Sequence, residues 1–222
     1  MTDTQTASGG TLGRLWRRLG ARLRPTPIAT ADALRIFLEE RAALIAQKCA
    51  IDYCRGKTGL ASYALFEERP FIEALDVCRW ETFVAVLGDL LIITEGHLRP
   101  HVEAADRSRL CAALSGLHAA VLAALPAPAH RTQGWGDETA KFTARLSSAI
   151  GGQRRLALDV ADHSAKRLFE TLPIHASMRK LDEEVVYGAV RFRMIAVSQE
   201  IERRIVAADL ARKLLLDPVS LT

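Results

Sequence analysis

Asp89 sits in the middle of an apolar run, where Val86, Ile92 and Ile93 are its helical neighbours and would strip water from its carboxylate. A buried carboxylate needs a cation or hydrogen-bond donors. Arg191 and Arg193, where charge interrupts the stretch from Tyr187 to Val197, are the cations that the pattern offers. Asp89, Tyr187, Arg191 and Arg193 are therefore expected to form either a structural ion pair or a polar pocket able to hold a small ligand.

Metal chemistry would need convergent acids and histidines. Helical bundles hold di-iron centres through glutamates and Glu-x-x-His pairs, and no Glu-x-x-His occurs in this chain. The nearest substitutes are Asp159, Asp162 and His163 on one helical face, and Glu95, His97 and His101 near a helix end. Asp159 and His163 lie four apart and could share an ion, but such pairs are more often surface hydrogen-bonding groups. No metal and no other cofactor is expected.

Phosphate and acyl chemistry fare no better. Arg55-Gly56-Lys57-Thr58 matches the end of a phosphate-binding loop, yet Ile51 stands where that loop requires its first glycine, and the stretch follows a helix rather than a strand. No Gly-x-Ser-x-Gly elbow occurs, and Ser115 lies inside a helical pattern. Cys49, Cys54, Cys78 and Cys111 form no Cys-x-x-Cys pair and fall within helical runs, so they are expected as small core residues of a reducing compartment. Nothing here nominates an active site.

The strongest pattern lies elsewhere. Leu12, Leu15, Trp16, Leu19 and Leu23 fall on one face of a helix, while Arg14, Arg17, Arg18, Arg22 and Arg24 occupy the remainder. Residues 1–24 carry those five arginines against Asp3 alone, and the rest of the chain has 25 basic and 25 acidic residues, so the whole net charge of +4 resides in this segment. A neutral body argues against a broad nucleic-acid interface. A basic amphipathic segment suits the headgroup region of an anionic membrane, where each arginine contributes about 1 kcal/mol. It could also dock on a protein or serve in targeting.

The secondary structure carrying these groups is expected to be helical throughout. A polar leader at residues 1–10 precedes the basic helix at 11–24, and Pro25 and Pro27 make 25–29 a short linker. A single bundle of about six or seven helices then spans 30–222. Its first helix starts at an N-cap, Thr30, and ends near Gly56 and Gly59; Pro70 opens a central helix over about Phe71–Gly96. Further helices are expected over Ala105–Leu125, Asp137–Ile150 and Gln153–Leu172, with one long last helix over Met178–Leu216. Alternating strand patterns are absent, and Phe83–Thr94, the longest apolar run, falls short of the roughly 20 residues that cross a bilayer.

The expectation is an all-α bundle acting as a non-enzymatic adaptor, assembly factor or accessory subunit. It would be cytoplasmic and peripheral on the inner membrane face, with an anionic membrane surface and a protein as partners. The rival is a helical enzyme or small-ligand-binding protein with its pocket around Asp89 and Arg191.

Overall fold

The computed structural model describes residues 26–216. The expected leader and the basic segment 11–24, with all ten of its singled-out residues, lie outside the described residues. Seven helices of ten residues or more and two of a single turn make up the described chain. They are α1 (Ala31–Thr58), α2 (Ser62–Leu65), α3 (Arg69–Leu98), α4 (Arg107–Ala123), α5 (Gly136–Gly151), α6 (Ala157–Thr171), α7 (Ala176–Arg179), α8 (Glu183–Arg204) and α9 (Ala207–Leu216). The chain is an all-α multi-helix bundle, as its periodicity implies.

Local signals account for most boundaries. The Thr30 hydroxyl accepts the Ala33 amide at 3.2 Å and caps α1. Gly59, at φ 54°, ends it in the left-handed region, where a glycine carries no steric penalty. Pro70 stands in the first turn of α3, where a missing amide hydrogen costs nothing.

From Glu81 to Gly96 every residue of α3 is buried, which makes it the central helix. It packs against α1, α4, α5, α6, α8 and α9, and α6 lies against both α3 and α8. No helix among the described residues is long and apolar enough to cross a membrane.

The last helix departs from expectation, because Met178–Leu216 is broken twice. After α7, a turn leads into α8, and α8 ends at Ile205, whose backbone is extended. There Ile28 donates to the Arg204 carbonyl at 2.8 Å and accepts from the Val206 amide at 3.0 Å, forming an isolated parallel bridge with Ile205. The Ile28 side chain is 1% exposed. Burying a large aliphatic side chain contributes about 1.5–3 kcal/mol, and the two bridge bonds replace helical ones, so the break is offset. The expected linker is thus anchored in the core at Ile28.

Gly88 marks the closest approach of α3 and α5. A Cβ there would stand 3.0 Å from Cδ2 of Phe142, whereas at Gly56 in α1 it would meet no atom within 4 Å. Gly88→Val is expected to lower stability by about 2 kcal/mol through overpacking, and Gly56→Ala to raise it by up to about 1 kcal/mol through helix propensity. Opposite shifts of the thermal midpoint, followed by circular dichroism, would check this; equal shifts would refute the contact.

Candidate functional site

Three acids on α3 are buried: Glu81 at 6% exposure, Asp89 at 0% and Glu95 at 1%. At about 100° per residue they share one third of the helix circumference, and that face meets α5 and α6. Each acid receives an arginine.

Asp89 is held by Arg145 of α5. Its Oδ1 accepts from Nη2 of Arg145 at 2.5 Å, and its Oδ2 accepts from the Ser164 backbone amide in α6 at 3.0 Å. Nη1 of Arg145 donates to Nδ1 of His163 at 2.9 Å, and that nitrogen stands 3.5 Å from Oδ1. The buried acid is present as its neighbours imply, but its cation is Arg145 and not Arg191 or Arg193.

Those two arginines are engaged elsewhere. Arg191 donates to Asp162 at 2.7 Å, approaches Glu184 at 3.6 Å and lies over the ring of Tyr187 at 5.3 Å. Arg193 donates to Asp52 of α1 at 2.9 Å. The physical reason is α6, which stands between α3 and α8: its Ser164 amide serves Asp89 on one side while its Asp162 takes Arg191 on the other. Asp89, Tyr187, Arg191 and Arg193 do not converge on one pocket.

Glu81 sits at a denser node. Oε1 accepts from Nε of Arg131 at 2.7 Å and faces Nε2 of His130 at 2.8 Å; Oε2 accepts from Nη2 of Arg131 at 2.7 Å and from Arg167 of α6. Arg131 also reaches Glu138 at 3.3 Å and Asp137 at 3.2 Å, and its guanidinium lies over Trp135 at 4.8 Å. Burial opposes the charge of Glu81, but the hydrogen bonds from Arg131 and His130 and the charge of Arg167 prevail and hold its carboxyl at about 2.

At the far end of α3, Glu95 accepts two bonds from Arg99, at 2.7 and 2.6 Å. Arg99 in turn donates to the carbonyls of Ala149 and Gly152, which closes the C-terminal end of α5.

Chemically these carboxylates are occupied. Both oxygens of each accept bonds from the protein, and the row ties α3 to α5 and α6. Burial likewise pushes the thiols of Cys49 and Cys78 up to about 11 and that of Cys54 to about 12, which keeps them from acting as thiolate nucleophiles at neutral pH. All four cysteines are free, and Cys111 is half-buried.

The acids and histidines weighed for metal part company as well. Asp159 is exposed and Asp162 pairs with Arg191, while His163 turns to Arg145 and Asp89. Glu95 is taken by Arg99 and His97 lies beside Arg154. Among the described residues no group of three histidines, cysteines or acids is placed to hold an ion.

Two hollows flank the Trp80–Trp135 pair, whose ring centroids are 6.3 Å apart. One of about 450 Å³ is lined by Leu122, Trp135 and Thr139 among others, and one of about 220 Å³ by Arg79, Trp80 and Phe83; Leu125 borders both. Their walls are mainly apolar.

Fold and site together define a helical bundle in which the three buried acids of α3 are each held by an arginine. No family model, curated protein or solved structure matches the chain.

Proposed function

We propose that this chain is a non-catalytic adaptor or accessory subunit that rests on an anionic membrane surface through residues 11–24. The observation that supports this reading is where that segment joins the bundle. The Thr26 carbonyl accepts from Nε of Arg204 at 2.9 Å, and Ile28 is bridged to Ile205 within the core. Arg24 is two positions from Thr26 in the sequence, so a membrane contact made by this segment would act close to an anchored point of the bundle. The occupied carboxylates and protonated thiols agree with a role in binding rather than catalysis.

Co-sedimentation with vesicles tests it. The intact chain is expected to pellet with vesicles rich in anionic lipid but not with neutral ones, to release as salt rises, and to lose at least about ten-fold in binding when residues 1–24 are removed. Equal binding by the intact and shortened chains would overturn the reading.

A further inference from the structure

Helix α8 is apolar on two sides. Val186, Val190, Met194, Val197 and Ile201 face the core at 0–7% exposure. Opposite them Val185 is 64% exposed, Phe192 74% and Ile195 37%, and Leu181, just before the helix, is 90% exposed. Leu181, Val185, Gly188, Phe192 and Ile195 follow steps of four and three, the spacing of a helix–helix seam. Within α8 the stripe from Val185 to Ile195 is a seam about 15 Å long that is left exposed among the described residues.

We infer that a second copy of this chain covers it, with the two α8 helices antiparallel and crossing at Gly188. The apolar positions stand 7 and 3 residues before that glycine and 4 and 7 after it, so an antiparallel mate brings each within a turn of a counterpart. In such a pairing Val185 meets the second copy's Phe192, Leu181 meets its Ile195, and the two glycines face each other on the two-fold axis. An isologous contact requires this kind of self-complementarity.

Three features favour this occupant. Glycine within a helix costs about 1 kcal/mol relative to alanine, and none of the described residues uses the missing side chain, since a Cβ at Gly188 would meet no atom of theirs within 4 Å. At a two-fold axis it lets the backbones approach. The flank beside the stripe is complementary in charge: Glu184, 85% exposed, falls opposite the second copy's Arg191, and the reverse pair forms by symmetry. Arg191 already holds Asp162 through Nε and reaches its own Glu184 only at 3.6 Å through Nη1, which leaves donors for a partner carboxylate. The other flank carries the small residues Ala189 and Ala196, which leave room for close packing. An anionic lipid surface is a poor fit, because Asp182, Glu183 and Glu184 stand at the start of the stripe.

Sedimentation equilibrium of the full chain without vesicles, from about 1 to about 100 µM protomer, tests the pairing independently of any membrane contact. A species of twice 24.4 kDa is expected. Phe192→Glu should weaken association by about 30-fold or more, with an unchanged circular dichroism spectrum because the side chain is exposed. Gly188→Cys should cross-link to its mate under mild oxidation, and Leu181→Cys should not. A monomer throughout the range would overturn the proposal, as would a dimer indifferent to Phe192→Glu. A monomer that dimerises only after removal of residues 1–24 would also overturn it, by assigning the stripe to that segment.

Discussion

Arg145→Ala is expected to cost about 3–5 kcal/mol of unfolding free energy, with a fall in the thermal midpoint on the order of 10 °C, and Asp89→Ala is expected to cost distinctly less. The two residues form one ion pair, yet they differ in their route back to water. The Asp89 carboxylate is wholly buried, whereas the Arg145 side chain keeps 26% of its surface exposed. Without Asp89, Arg145 can turn its guanidinium outward. Without Arg145, Asp89 stays in the core with the Ser164 amide and the His163 ring as its remaining polar neighbours. Breaking a buried pair is most destabilising when the charge left behind has no escape.

The double variant Asp89→Asn/Arg145→Ala should regain part of the loss. Asparagine still offers an oxygen to the Ser164 amide and carries no charge to strand. Chemical denaturation of Asp89→Asn, Arg145→Ala and the double variant, read as a thermodynamic cycle, measures the coupling. If Arg145→Ala proved no more costly than Asp89→Ala, the stranded charge would not be the dominant effect, and loss of packing between α3 and α5 would explain both.

The burial of Asp89 could be read from Val86, Ile92 and Ile93, because helical periodicity is local. Its partner could not. Periodicity tells which residues share a face but not which helix lies against that face, and Arg145 is 56 residues away. The same reasoning applied to Glu81, flanked by Cys78, Phe83 and Val84, would have exposed the second node; its arginines, at 131 and 167, were again beyond reach. The break at Ile205 carried no glycine or proline to announce it, since its cause is a bridge to Ile28 at the other end of the chain. The outer stripe of α8 was legible in full. Val186, Val190, Met194, Val197, Ile201 and Ile205 account for one face, and Val185, Phe192 and Ile195 form a second that a single-faced surface helix does not need.

Acid should lower the stability of this protein over two pH windows, the first set largely by His118 of α4. Its ring is fully buried and stacked on Phe142 with centroids 4.3 Å apart; Nδ1 is 3.5 Å from the Thr139 hydroxyl, and Nε2 has no partner among the described residues. Burial, with the charge of Arg145 adding to it, pushes the imidazole from 6.5 down to about 4. Between those values the unfolded chain binds a proton that the folded chain refuses. Stability therefore falls by about 1.4 kcal/mol per pH unit as pH drops from 6.5 to 4, roughly 3 kcal/mol in all, and this contribution levels off below 4. His97, lowered by burial and by Arg154, adds to the same window. Glu81 and Glu200 act later. Both carboxyls lie at about 2, held there for Glu200 by hydrogen bonds from Arg41 and Arg204 that outweigh its burial, so the stability they supply above 4.5 is lost as pH falls from 4.5 towards 2. Urea midpoints at several pH values should show His118→Gln flattening the fall in the first window and leaving that in the second in place. An unchanged slope between pH 6.5 and 4.5 in that variant would show that some other group takes up the proton. Arg145 joins this prediction to the first one: Arg145→Ala removes a positive charge facing His118, so the first window should also narrow in that variant, a pH signature that loss of packing alone would not produce.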